Sequence, residues 1–473
     1  MPSVSTLVAV LVFASVPRAK DFFVSALRGK NTNTGTIQSP FKTITHALTA
    51  VQPNDRIFVL PGRYGPRNGE TFPLTVPKTV SLIGTEPRSC VIDAEFDPNV
   101  PNPKDPKVNP VQGDLLHVGG SSRIANLSIV NGPRNPKNPG DYWWAIAILV
   151  QDPNGNARDL EIDHLRLDEF SRGIVCGGPV GAHGMSNIRI HDVIFTRSHV
   201  EAINSWIRAG TASGNIAYNC TVSGHVNPSS GKPFMRAALS FGDGAQFDIR
   251  NSALLHADWA RIENAGQNTK ITSDYNCIFA GSNPNFSAYR GVAKGANDLL
   301  TDPLLMRLPS LRSVMDPHQG IKGSPLFQKG TNLPGQPAHN DMDLGSKRIF
   351  AAIVDIGADE WSGLDCYVSG IARAGRPVRL DMIGARSMPG LFLLGFGALA
   401  SGVKIPGFNG ELWIDPSKPL RLFLVPKDSR GHGTLSLPIP SGALGVELFL
   451  QGIDLPAGLL PALTDLDKVT ILN

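Results

Sequence analysis

Charge is scarce in this chain of 473 residues: Asp, Glu, Lys and Arg make up 18% of it, against about 25% in ordinary globular domains. Long solvated surface helices are therefore not its main building element. The charge present is balanced, 44 basic against 40 acidic residues for a net +4, and no run of five or more like charges occurs, so nucleic acid is a poor partner. No stretch reaches the ~18 apolar residues of a membrane span. Cysteine is rare as well. Cys90, Cys176, Cys220, Cys277 and Cys366 form an odd, widely spaced set without a C-x-x-C, which signals neither a zinc site nor a disulfide framework. They read as buried apolar fillers.

Glycine and proline are in excess: 49 and 38, together 87 residues or about 18% of the chain against a usual ~12%. The length allows two or three domains and a large core. Leu7 to Val16 (LVAVLVFASV) is uninterrupted apolar and is followed by Pro17, Arg18, Ala19 and Lys20. This predicts a cleaved secretory signal over residues 1–20, a mature chain from about Asp21, and a secreted or cell-surface product. A first strand is the alternative reading of the same run.

After a strand at Phe22 to Ala26 and a Gly/Asn/Thr turn, Phe41, Ile44, Ala47 and Leu48 share one face of a short amphipathic helix. From about residue 115 the chain becomes short β-branched runs separated by Gly and Asn. Five of them align: RIANLSIV at 123, LEIDHLRL at 160, IRIHDVIF at 188, IAYNCTVS at 216 and FDIRNSALL at 247. Each has a polar or small residue before its last apolar pair: Asn126, His164, Asp192, Cys220 and Asn251, with Asn276-Cys277 continuing the series. A repeat of about 28 residues made of several short strands without helices between them predicts the coils of a parallel β-solenoid. The aligned polar column would sit at a tight turn where left-handed backbone is tolerated, and the early helix would cover the raw first edge.

The segments G-T-I-Q-S-P-F-K-T-I-T-H-A-L (Gly35 to Leu48), N-D-R-I-F-V-L-P-G-R-Y (Asn54 to Tyr64) and G-E-T-F-P-L (Gly69 to Leu74) resemble the opening of secreted bacterial right-handed β-helix proteins of the pectate-lyase-like superfamily. G-S-P-L-F-Q-K-G (Gly323 to Gly330) and D-I-G-A-D-E-W (Asp355 to Trp361) resemble the last-coil motifs of the same proteins. The resemblance implies an all-β, right-handed parallel β-helix over residues 21–361. After Trp361 the texture changes to alternating apolar strands with Pro/Gly turns, so residues 362–473 are expected to form a small antiparallel β-sandwich. It is similar to carboxy-terminal modules that anchor, sort or bind.

Two insertions, Asn131 to Tyr142 and Gly224 to Phe234, leave after the same strand position and should wall one groove. In polysaccharide-acting β-helices the resemblance implies that the sugar chain lies on such a flanked strand face. Period-2 alternation puts Asn204, Trp206 and Arg208 outward around Ile203, and turns Arg236, Arg261 and Glu263 outward beside Leu239 and Ile262. Trp143 and Trp144 add stacking surface. Arginines on a sugar groove favour a carboxylate- or sulfate-bearing polysaccharide. A lyase needs a base and a means of stabilising a carbanion, for which Arg236, Arg261, His199 and Glu201 are the candidates. A hydrolase needs two carboxylates, for which Glu201 and Glu263 are the pair. The adjacent Asp-Asp pair of polygalacturonase-like enzymes is absent, and Gly431-His432-Gly433 falls in the carboxy-terminal module.

Ile162-Asp163-His164 resembles the I-D-H of some pectate lyases, but Glu161 stands where they usually have tryptophan, and His164 shares the turn column. A structural role is the simpler reading for it and for His191-Asp192. Asp163, Asp168 and Glu169 offer oxygen donors of the kind Ca²⁺ takes, without the spacing of a calcium loop; solvated carboxylates are the simpler account. Two readings of function follow. One is a polysaccharide-interacting protein that cleaves an acidic substrate as a lyase. The other is a non-catalytic adhesive or cell-surface protein whose solenoid is a spacer attached by its final module.

Overall fold

The computed structural model describes residues 19–94, 113–130, 145–151, 157–177, 184–205, 212–224, 235–255, 257–279, 287–303, 305–307, 316–319, 324–326, 328–333, 355–358, 365–369, 372–384, 388–409, 411–428, 431–455 and 460–472. Through residue 290 the chain winds as a right-handed parallel β-helix with three strands per coil. In one coil Ala157–Asp168 bends at its middle to supply two faces and Arg172–Cys176 supplies the third. Met185–Ser198 and Glu201–Ser205 repeat this one coil later, paired in register with their predecessors.

Stacked apolar columns hold the coils together. On the third face Leu74, Leu116, Ile148, Ile174, Ile203, Leu239 and Ile262 follow one another in register and are all buried, and Tyr289 extends the column at its end. Ile57, Leu82, Ile124, Ile162, Ile190, Ala217 and Ile249 do the same on the first face. The bend between first and second faces is a column of left-handed residues: Asn126, His164, Asp192, Asn219, Asn251 and Tyr275, with φ between 50° and 58°. The turn column expected from sequence is thus correct at Asn126, His164, Asp192 and Asn251 and off by one at the others. Cys220 and Asn276 are the inward residues that follow the turn. Asn276 Oδ1 accepts from Ser252 N, and Ser252 Oγ from Cys220 N, so a polar ladder lines that corner.

The helix Ile44–Ala50 covers the open start of the solenoid, with Ile44 and Ala47 buried in its core. Thr43 caps it, and the buried Glu70 carboxylate accepts the Ile44 and Thr45 N–H groups at 2.7 and 2.8 Å. The described residues of the motifs near 324 and 355 lie against the second face of the solenoid. Leu326 and Ile356 pack on Ala253 and Cys277, and Ala358 packs on Ile194 and Leu255. These partners point outward from the second face, so that face is covered at its later coils.

From Asp365 onward the strands are antiparallel. A three-stranded sheet (Asp365–Ser369, Pro377–Ile383, His432–Pro438) and a four-stranded one (Leu420–Val425, Gly390–Gly395, Glu447–Asp454, Ala462–Thr470) share a single core that includes Val368, Leu380, Phe392, Leu450 and Val469. The module touches the solenoid at its beginning: Thr470 N donates to Ser89 Oγ at 3.0 Å, and Arg373 lies 3.9 Å from Asp93. All five cysteines are free and buried. Burial pushes the thiols of Cys90, Cys176 and Cys277 up to about 11, about 12 and about 12, so none is a ready nucleophile. No helix among the described residues is long and apolar enough to cross a membrane.

Candidate functional site

With the second face covered at its later coils, two outward faces carry chemistry. On the third face, Arg172 Nε donates to Glu201 Oε2 at 2.7 Å. Arg236 then bridges two carboxylates, with Nη1 3.8 Å from Glu201 Oε1 and Nη2 donating to Glu263 Oε2 at 3.0 Å. Arg290 Nη1 donates to Glu263 Oε1 at 3.0 Å. Five strands therefore contribute one charged residue each to a continuous Arg-Glu-Arg-Glu-Arg ladder, which runs obliquely across the third face from the row of Arg172 and Glu201 to the row of Asn204, Ser240 and Glu263. The Glu201 and Glu263 side chains are only 2% and 1% exposed, whereas Arg236 and Arg290 are 50% and 51% exposed. Burial raises the Glu201 carboxyl, and Glu263 adds to that rise against the opposing pull of Arg172 and Arg236. The close approach at the start of the ladder needs Gly173: a Cβ there would lie 2.5 Å from the Ala202 carbonyl oxygen and 2.7 Å from the Phe195 ring.

Arg236, Glu201 and Glu263 are thus brought together. Asn204 is in the same outward row as Val175, Ser240 and Glu263, and is buried there. His199 stands in the bend before Glu201, its backbone N–H donating to the Phe170 carbonyl at 2.9 Å. The expectation that Arg261 lines the groove is corrected. It is fully buried, and its Nε and Nη2 donate to the Phe279 carbonyl at 3.0 and 2.6 Å, tying two faces of the coil together. Trp143, Trp144, Trp206 and Arg208 lie outside the described residues, as do the insertion from Asn131 to Tyr142 and all of the one from Gly224 to Phe234 except Gly224 itself. Sequence reasoning missed Arg172 and Arg290. Both follow from the register, one coil before Glu201 and one coil after Glu263.

On the first face, Arg123 forks onto Asp163 at 2.8 and 2.6 Å, and His164 Nδ1 lies 2.8 Å from the same carboxylate. His191 donates from Nδ1 to Asp192 at 2.7 Å and from Nε2 to Glu161 at 3.1 Å, while its ring stacks on Tyr218 with centroids 4.7 Å apart. Burial alone would lower the His191 pKa, but the two carboxylates outweigh it and raise it to about 9. Burial would likewise raise Asp163, but Arg123 and His164 hold it well below the usual carboxylate range. Ligand atoms of Glu161, Asp163 and His191 lie within 4.8 Å of one another. A cation there would have to displace the Arg123 guanidinium and the imidazolium proton, so the donor set as arranged fits a charge network better than a metal centre. The other candidate calcium donors are also engaged: Asp168 accepts from Arg197 and Thr196, and Glu169 lies 3.4 Å from Arg197. The expected calcium ligands do not converge.

Residues 27–162 match the sequence model of a family described as a protein of unknown function (DUF1565). Curated proteins give no match to the chain. Among solved structures the fold is similar to a rhamnogalacturonan lyase at 12% identity (TM-score 0.35, 60% of this chain and 68% of that one). It is also similar to a lacto-N-biosidase from Eubacterium ramulus at 9% identity (TM-score 0.36, 60% and 68%). A third likeness is to a pectin methylesterase variant in complex with a hexasaccharide, at 12% identity (TM-score 0.35, 60% and 92%).

Proposed function

We propose that the outer side of the third face binds an extracellular acidic polysaccharide, and that its cleavage chemistry is β-elimination. The observation that carries this reading is the ladder. Buried carboxylates fix three arginines on alternate strands of the face, and the guanidinium groups of Arg236 and Arg290 stay half exposed. A guanidinium has five N–H donors, so Arg236 can hold Glu263 and still offer a fork to a carboxylate from solvent. A polymer with regularly spaced anionic groups meets a cation on every second strand, at intervals of two strand spacings of about 4.8 Å each along the axis. The ladder itself carries three positive charges against two negative ones.

In a lyase the sugar carboxylate bound at Arg236 is neutralised, which acidifies the proton on the adjacent carbon. The base takes that proton, its electron pair forms the C=C bond, and the glycosidic oxygen leaves with a proton from solvent. His199 is the base this reading assigns. A hydrolase is less well supported, because it needs two carboxylates facing the scissile bond and both Glu201 and Glu263 are buried beneath arginines. An exported location follows from the apolar run at Leu7 to Val16.

The test is a screen of the purified chain against acidic and neutral polysaccharides, with and without Ca²⁺, recording binding, the ultraviolet absorbance of the unsaturated sugar end, and new reducing ends. Acidic polymers are expected to bind and to raise both signals. Arg236→Ala and Arg290→Ala should each lose about tenfold or more in affinity, a loss of roughly 1.4 kcal/mol; Arg236→Ala should also lower the thermal midpoint, because it takes a partner from both buried carboxylates, whereas Arg290→Ala leaves Glu263 paired with Arg236. Arg290 stands at the end of the ladder, so its variant keeps the test readable if Arg236→Ala fails to fold. Unchanged binding in both variants overturns the reading. Binding without either chemical signal favours the non-catalytic adhesive protein, and reducing ends without absorbance favour a hydrolase.

A further inference from the structure

Five of the six left-handed residues at the bend between first and second faces are Asn, His or Asp, which tolerate that conformation. The sixth is Tyr275, at φ 58°. A bulky side chain there is strained, and such strain persists only where the surroundings over-determine it. They do so here. Asn276, the next residue, is fully buried and bonded on every side: its N–H donates to Asp298 at 2.7 Å, its amide donates to Ile249 O and Ser273 Oγ at 2.9 and 3.0 Å, and its Oδ1 accepts from Ser252 N at 2.9 Å. Asp298 in turn accepts from Ser273, Tyr289 and Gly295 as well as from Asn276.

Tyr275 is held beside a cleft of about 610 Å³, whose other wall is the strap from Gln328 to Asn332. The strap is fixed to the solenoid by a reciprocal pair of 2.8 Å bonds, Thr331 N to Asn251 Oδ1 and Asn251 Nδ2 to Thr331 O, and by Gln328 N donating to Asp355 at 2.6 Å. Asn297, Thr331 and Lys329 bring amide, hydroxyl and ammonium groups to the same cleft. Asp298 is buried and saturated with donors, and Asp274 is held by Asn297, so the charge the cleft offers a ligand is that of Lys329.

We infer that this cleft is a second saccharide subsite, in which Tyr275 is the platform for one sugar ring, Lys329 takes its carboxylate, and Asn297 and Thr331 bond its hydroxyls. A flat, half-buried aromatic face with converging polar groups is how apolar sugar faces and hydroxyls are recognised together. The cleft lies at the bend before the second face, and none of its lining residues belongs to the arginine ladder. It shares with the proposed function only the premise that an acidic glycan is the ligand.

Tyr275→Asn restores the residue type of the column, so it should fold at least as well as the parent chain. Calorimetric titration with oligogalacturonates of a few residues, and with neutral cello-oligosaccharides as the control, provides the readout. Tyr275→Asn and Lys329→Ala are each expected to weaken oligogalacturonate binding about tenfold while the thermal midpoint is held or raised in Tyr275→Asn. Arg290→Ala, run in parallel, reports on the ladder alone. Loss in the Arg290 variant with no change in the Tyr275 and Lys329 variants overturns the second subsite and leaves the ladder standing; the reverse pattern keeps the cleft and removes the ladder. Equal weakening of neutral and acidic probes by Lys329→Ala overturns the role given to Lys329.

Discussion

His191 is an imidazolium clamped between Asp192 and Glu161 on the outer side of the first face, with a pKa raised to about 9 from its ordinary 6.5. A group whose pKa is higher in the folded than in the unfolded chain stabilises the fold fully below the lower value and loses that contribution as the pH rises through the higher one. The chain should therefore be most stable, as far as this residue is concerned, below about pH 6.5, and should lose roughly 2–3 kcal/mol by about pH 9.5. Urea unfolding midpoints across that window check this, and His191→Gln should flatten the dependence. A midpoint that stays constant in the parent chain would show that His191 carries no charge when folded. Asp163 acts at the other end of the scale: held low by Arg123 and His164, it loses its contribution only in strong acid.

At the scale of the strand, Gly173 decides whether Arg172–Cys176 can lie against Glu201–Ser205. Gly173→Ala would drive a methyl group into the Ala202 carbonyl and the Phe195 ring, and overpacking of this kind costs about 1–3 kcal/mol. A drop in the denaturation midpoint, with polysaccharide affinity falling because Arg172 and Glu201 are no longer aligned, is the expected pair of results; unchanged affinity at lower stability would detach the first rung from binding. The strands themselves were legible, because an inward residue every second position and a coil every 28 or so residues leave a readable pattern. So were the outward directions of Arg236 and Glu263. The identity of the partners was not. Arg172 and Glu201 are 29 residues apart, as are Arg189 and Tyr218, and coil lengths vary, so one residue of misalignment moved the turn from Asn219 to Cys220 and from Tyr275 to Asn276. That slip concealed the one strained tyrosine in the column. Arg261 was misjudged for a different reason: it falls in the row of Ala202 and Ala238, which pack in the solenoid core together with their neighbours Ile203 and Leu239, so strict alternation fails at this point of the strands.

For the whole molecule, the carboxy-terminal module belongs beside the first coils, where Thr470 meets Ser89 and Arg373 approaches Asp93. A solenoid transmits stability mainly between neighbouring coils, so the influence of the module should be local. Hydrogen exchange on a chain truncated after residue 361 is expected to show faster exchange around Cys90–Asp93 and unchanged protection around Met185–Ser198. Uniform loss of protection would instead mean that the two parts fold as one cooperative unit. The sequence marked the change of texture at Trp361, but gave no sign of where the module would dock, since a contact between surfaces leaves no periodicity.

The bond between Ser89 and Thr470 spans 381 positions of the chain. On a ribosome the coils can wind as they emerge, each on its predecessor, because every contact they need is one turn old. The join at the beginning has to wait for the last strand to be synthesised. The first described coil is therefore the last to be finished, and through most of synthesis its start is covered, among the described residues, by the seven-residue helix Ile44–Ala50 and not yet by the module.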